Sequence, residues 1–331
     1  MPHIGPDQLI PFVETIATGL CAQLEPLRLA AENKSEPADQ RLVNEAMNHC
    51  LAGLASTEVW GKANQIPSQA FWKIAGDLVN LGSLQWHARA KPRGYAGDFE
   101  MLHNICTDYC CDHPVGQRFD RFFQDHAAPQ AVRNRYQLVG EEIVRQVRVR
   151  EPLPLHVVSV GSGPAADIQH AARLLSGEER TRLMITLLDI DPSALDFCKS
   201  QLASWFTEEQ VRYRQENLHR VGRRPATREL LESADMIVCV GLFDYLETAR
   251  AEQMLEVFWR SLPPQGKLMV FNFSPDNPSR TYMEWLGNWY LIYRTSEELR
   301  EIANAAGIPD DDQRIDAEAA GVNLFLSANK R

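Results

Sequence analysis

His156-Val157-Val158-Ser159-Val160-Gly161-Ser162-Gly163-Pro164, followed after a helical stretch by Leu187-Leu188-Asp189, is the segment that decides the fold. Val157, Val158 and Val160 read as a buried strand. A strand that ends in Gly-x-Gly and feeds a helix lets a ligand press against bare backbone. Asp189, at the tip of the next strand, is an acid suited to a ribose diol. Together these residues predict a nucleoside-cofactor site. Ala166 stands where a dinucleotide fingerprint wants its third small residue, so the glycine count alone leaves a hydride-transferring oxidoreductase open.

The segments that follow narrow the choice. The pattern predicts a helix over 192–206, a strand over 211–215 ending at Glu216-Asn217-Leu218, a helix, and a strand over 236–240. Beyond lie a helix over 248–262, a strand over 268–273, a long helical insert, and strands near 313–317 and 323–327. Seven strands closing in a C-terminal hairpin resemble the class I S-adenosylmethionine-dependent methyltransferases over roughly residues 152–331. The resemblance implies an α/β, Rossmann-like seven-stranded sheet with S-adenosyl-L-methionine as cofactor. It places Gly161, Ser162 and Gly163 under the methionine part, Asp189 with Ile190 at the ribose, Asn217 and Leu218 beside the adenine, and Gly241 after the fourth strand. One departure stands out: the family often carries an acid two positions before the first glycine, and here that position is Ser159.

Composition sets outer limits. The chain has 331 residues, 44% of them hydrophobic, enough for two domains of ordinary size. No run of eighteen apolar residues occurs, and the N-terminus lacks an export pattern, so no membrane insertion and a cytoplasmic location are expected. Lys plus Arg total 34 against 44 Asp plus Glu, a net charge of −10 that repels a phosphate backbone and argues against nucleic acid. Gly241-Leu242-Phe243-Asp244-Tyr245 also differs from the Asn/Asp-Pro-Pro-aromatic run of enzymes methylating nucleobase amines. The expected partner is a small molecule, with the protein a monomer or homodimer.

Residues 1–150 read as a helical N-terminal lid or substrate domain, and 151–331 as the cofactor-binding domain. Leu9, Val13, Ile16 and Leu20 repeat at helical spacing, as do Leu42, Ala46, Cys50 and Leu54. Ser68 is placed to cap a further helix. The seven cysteines read as reduced thiols, and Cys106, Cys110 and Cys111 as a helix end and not a metal site. Arg93-Gly94-Tyr95-Ala96-Gly97-Asp98 forms a sharply turned loop. It resembles a bacterial family that includes enzymes making 3-hydroxy fatty acid methyl esters. That resemblance implies a loop folding over the cofactor, with Arg93 and Tyr95 near its methionine end and Gly97 helping to close it.

In the insert after the fifth strand, Tyr282, Trp285, Trp289, Tyr290 and Tyr293 fall on one broad face if the segment is helical. Such a face is either core or the wall of a pocket for an apolar body with one charged head. On the second reading Asn272, Trp289 and Tyr290 touch the acceptor, while Tyr293 and Arg294 carry the catalytic contacts. Methyl transfer from a sulfonium demands alignment and exclusion of water more than acid–base chemistry. An ionised carboxylate needs no general base, and no histidine follows the fourth or fifth strand. These points predict a small-molecule methyltransferase of secondary metabolism, acting on a carboxylate-bearing metabolite or fatty acid. N- or S-methylation and a non-catalytic nucleoside-binding module stay open; Asp244 or Asp276 would serve a hydroxyl acceptor.

Overall fold

The computed structural model describes residues 6–34, 38–217 and 225–331. They form two compact units, Met1–Gln130 with Pro278–Tyr290, and Ala131–Asn277 with Leu291–Arg331. The predicted boundary at 150–151 falls inside the second unit.

The first unit is helical: α1 (Pro6–Lys34), α2 (Gln40–Ala55), α3 (Gln65–Val79), α4 (Ser83–Ala90), α5 (Phe99–Cys106) and α6 (Gly116–Gln124). Val13, Ala17, Leu20 and Leu24 recur every three or four residues and are buried where α1 meets α2 and α3. The Asp39 carboxylate caps α2 by accepting from the Arg41 N–H at 2.8 Å. Ser68 does not cap. It lies inside α3, fully buried, where its hydroxyl donates to the Trp285 carbonyl at 2.8 Å and accepts from Arg89 Nη1 at 2.8 Å. The insert also departs from expectation. Residues 282–286 form a single π-helical turn, and no helix continues to Tyr293. A Cβ at Gly287 would stand 2.9 Å from the Met283 carbonyl, and Asn288 adopts a left-handed φ of 48°. Helical hydrogen bonding cannot run through such a residue.

The second unit holds α7 (Ala127–Val149) apart from its first turn, then β1 (Leu155–Val160), α8 (Ala166–Leu174), α9 (Gly177–Thr181), β2 (Leu183–Asp189), α10 (Pro192–Leu202) and β3 (Val211–Gln215). There follow α11 (Pro225–Glu232), β4 (Met236–Cys239), α12 (Thr248–Ser261), β5 (Lys267–Phe273), α13 (Ser296–Ala305), β6 (Gln313–Ala317) and β7 (Asn323–Asn329). The sheet order is β3-β2-β1-β4-β5-β7-β6. β1 to β5 are parallel, and β7 runs antiparallel between β5 and β6. Central parallel strands are covered on both faces, which is why Val157, Val158 and Val160 form a nearly unbroken apolar run and every residue of β5 is buried. α7 approaches α8 closely at Gly140, where a Cβ would meet the Asp167 carbonyl at 2.8 Å. Only a glycine permits that contact.

Sheet order positions the site. From β1 the chain builds outward through β2 to β3, then returns to lay β4 on the other side of β1. Ligands in open α/β sheets bind beyond the carboxyl ends of the strands at such a switch point. Gly161 follows β1 and Gly241 follows β4 shortly after its end, so the two residues border that crevice.

Candidate cofactor site

The turn after β1 bends through three left-handed residues: Gly161 (φ 67°), Gly163 (φ 50°) and Ala165 (φ 50°). Two are glycines, which adopt that region without steric cost, and Ala165 is held there fully buried. The structure brings Asp189 to this turn. Its carboxylate accepts from the Gly163 N–H at 2.9 Å and the Asp191 N–H at 3.0 Å. Its own carbonyl accepts from the Glu216 N–H at 2.8 Å, which sets Asn217 beside the tip of β2. Burial raises the Asp189 carboxyl, and the Asp191 and Gly163 N–H donors oppose that rise. A carboxylate has about four acceptor positions, so capacity remains for a diol. Ile190, 48% exposed, offers an apolar side chain next to it. Ser162 is buried within the turn. Leu218, expected at the adenine, lies outside the described residues, as does His219.

Behind Gly241 stands a group that the sequence reading missed. Arg135 of α7 is 3% exposed, and its Nη2 would lie 3.4 Å from a Cβ at Gly241. Asp244 Oδ2 is 3.7 Å from its Nη1, and its guanidinium carbon sits 5.5 and 5.7 Å from the ring centres of Tyr136 and Phe273. Asp167, in the first turn of α8, is 1% exposed. One signal could have found Arg135: it shares the face of Val132 and Val139, where α7 should be apolar.

Burial pushes the Asp167 and Asp244 carboxyls up to about 6, an effect partly offset by Arg135. An aspartate whose folded pKa exceeds its unfolded value costs stability once it ionises, so the loss develops between about pH 4 and pH 6 and is complete above that window. Asp167→Asn is therefore expected to stabilise the ligand-free protein at pH 7.5 by up to about 3 kcal/mol, the gain fading as pH falls towards about 4. Urea denaturation of both proteins across that range measures it; a pH-independent difference would exclude the charge as its cause.

The residues predicted at the acceptor come from both units. Asn272 is fully buried, with Nδ2 donating to the Phe273 and Ile292 carbonyls at 3.0 and 2.8 Å. Its Oδ1 accepts from Arg294 Nη1 at 2.5 Å. Arg294, 2% exposed, also donates to the carbonyls of Phe243 (2.8 Å) and Leu246. The polar atoms of both side chains brace the segments after β4 and β5. Tyr293, half-buried, belongs to the second unit. Trp289, buried, and Tyr290, half-buried, belong to the first, where the Tyr290 hydroxyl donates to Asn64 Oδ1 at 3.0 Å.

The loop before α5 also lies in the first unit. Gly94 and Gly97 have φ of 86° and 68°, Tyr95 is exposed, and Arg93 Nη2 pairs with Glu100 Oε1 at 2.5 Å while lying over the Phe99 ring. Asp98 caps α5 and holds His87 Nε2 at 2.8 Å. His87, Asp98 and Glu100 offer ligand atoms within 4.8 Å of one another; the Asp98–His87 and Arg93–Glu100 pairs account for that proximity. All seven cysteines are free thiols. No helix among the described residues is long and apolar enough to cross a membrane.

Residues 158–268, from β1 into β5, match the sequence model of a methyltransferase domain. A solved structure of a possible exported protein from Bordetella parapertussis is 17% identical with a TM-score of 0.57, covering 96% of each chain. The CurJ carbon methyltransferase is 12% identical with a TM-score of 0.53, covering 98% of this chain and 92% of its own. Magnesium protoporphyrin IX methyltransferase from Synechocystis, solved with bound SAM, is 14% identical with a TM-score of 0.43, over 61% of this chain and 83% of its own. No curated protein matches the chain. The two structures with TM-scores above 0.5 share the fold of this chain, a seven-stranded Rossmann-like sheet with a helical N-terminal region. The domain match likens residues 158–268 to a methyltransferase domain, and the cofactor to test against this site is S-adenosylmethionine. Its residues suit that cofactor: a left-handed glycine turn at the switch point, and a carboxylate fixed at the tip of β2.

Proposed function

We propose that this protein is an S-adenosylmethionine-dependent methyltransferase that acts on a small molecule and forms a methyl ester on a carboxylate, in a metabolite or a fatty acid. The cofactor supplies, when bound, a methyl group on a sulfonium. The acceptor oxygen takes that methyl as the carbon–sulfur bond breaks, the sulfur keeps the electron pair, and no proton moves. A protein doing this needs alignment and a dry site, not a general base. The observation that carries the reading is the fate of the titratable groups around the carboxyl edge of the sheet. Asp244 accepts the Phe273 N–H at 2.7 Å on Oδ1 and faces Arg135 with Oδ2. His156 is bonded to Thr186 Oγ1 and the Ser233 carbonyl near the start of β1, at the opposite edge.

The resemblance of Arg93–Asp98 to the 3-hydroxy fatty acid methyl ester enzymes supports a fatty or hydroxy-fatty acid. Arg93, Tyr95 and Gly97 are proposed cofactor residues on that basis, and Trp289, Tyr290 and Tyr293 proposed acceptor residues. A cytoplasmic place in secondary metabolism, as a monomer or homodimer, belongs to the same reading.

The test supplies the protein with methyl-labelled cofactor and separate pools of fatty acids, hydroxy acids, amines and thioethers. Label is expected in a product that mild alkali releases as methanol. Alkali-stable label would move the reaction to nitrogen or sulfur, and cofactor binding without any transfer would favour a regulatory module.

A further inference from the structure

We propose that Arg135 and Asp167 together receive the amino-acid head of the cofactor, Arg135 taking the α-carboxylate and Asp167 the α-ammonium. The inference rests on the cofactor reading above and assigns two residues to it. Both side chains are almost completely buried, and both carry polar atoms with no hydrogen-bond partner among the described residues: Nε and Nη1 of Arg135, and Oδ2 of Asp167. Asp167 Oδ1 is occupied by the Ile168 N–H at 2.9 Å. Asp244 stands 3.7 Å from Arg135 Nη1, too far for a hydrogen bond. Buried polar groups are seldom left unsatisfied in a native protein, and orphaned atoms on two opposite charges point to a missing ligand that carries both signs.

Their placement fits. Arg135 reaches the end of β4 at Gly241, where a Cβ would touch its Nη2 at 3.4 Å. Asp167 opens the helix that follows the glycine turn, and α7 is held against it by the close approach at Gly140. Both groups therefore border the switch point between β1 and β4. Ser159, two positions before Gly161 and 2% exposed within β1, carries no charge, so Asp167 supplies the negative charge from the other side of the turn.

Calorimetry with three ligands on the wild-type protein, Arg135→Met and Asp167→Asn tests this. Wild type is expected to bind decarboxylated S-adenosylmethionine roughly 30-fold or more weakly than S-adenosylmethionine, since a buried charge would lose its partner. Arg135→Met should abolish that preference, and Asp167→Asn should weaken S-adenosylmethionine by about tenfold. 5′-Methylthioadenosine, which lacks the head, should bind all three proteins within roughly threefold, and so also reports that the variants are folded. Should Arg135→Met not fold, the ligand comparison on wild type decides alone. Wild type binding both sulfonium ligands equally, or a folded Arg135→Met that keeps the preference, overturns the assignment while leaving the cofactor in place. Wild type binding neither S-adenosylmethionine nor 5′-methylthioadenosine overturns the cofactor reading and this inference with it.

Discussion

Replacing Arg294 by methionine is expected to lower the unfolding free energy of the second unit by about 3–5 kcal/mol. The guanidinium serves the carbonyls of Phe243 and Leu246 and the Asn272 amide oxygen in one buried place. Methionine matches much of its stem but offers no donor, leaving the Leu246 carbonyl and the Asn272 amide oxygen without the arginine and the Phe243 carbonyl with only the Leu246 N–H. The same lattice includes Asp244, whose carbonyl accepts the Ile292 N–H at 2.7 Å and whose carboxylate accepts the Phe273 N–H. Loosening it should therefore spread to both segments that follow β4 and β5. Urea denaturation followed by tryptophan fluorescence reads the effect through Trp205 and Trp259 of that unit. A loss below about 1 kcal/mol would return Arg294 to the candidates for acceptor binding, because bracing would then contribute little.

Replacing Asp189 by alanine is expected to weaken S-adenosylmethionine binding by about 1.5–3 kcal/mol. Two effects act together. The variant loses the acceptor available to the ribose hydroxyls, and it frees the Gly163 N–H that the carboxylate holds at 2.9 Å. Asp189→Asn separates them, since an amide oxygen can still accept from Gly163 without a full negative charge. Affinity for Asn is expected between that of wild type and Ala. An alanine variant with unchanged affinity would remove Asp189 from the cofactor site.

Much of the second unit was legible because its signals are local. A parallel strand covered on both faces is a short apolar run, and a chain that must bend tightly beside a ligand uses glycine, so Val157–Val160, Gly161, Gly163 and Asp189 could be read one after another. The strand read at 236–240 followed from the same contrast between a buried run and polar breaks, and it spans Met236–Cys239 with every residue buried. Errors arose where one periodicity fits two structures. The aromatic spacing of 282–293 is helical on paper, yet Gly287 packs against the Met283 carbonyl and Asn288 turns left-handed. Asn272 and Arg294 have the chemistry of binding residues, and nothing local reveals that four backbone carbonyls of the same unit accept from them. Ser68 has the chemistry of a cap, but a carbonyl more than two hundred residues away takes its hydroxyl.

By itself, then, the sequence determined the kind of sheet, the glycine turn and the acid beside it, because each is encoded by neighbours a few residues apart. Tertiary structure alone decided that α7 belongs with the sheet, that Arg135 and Asp167 are buried with orphaned atoms, and that Arg294 braces the fold. Those outcomes depend on which distant atoms fill each polar side chain's hydrogen-bonding capacity, a condition that spacing along the chain does not record.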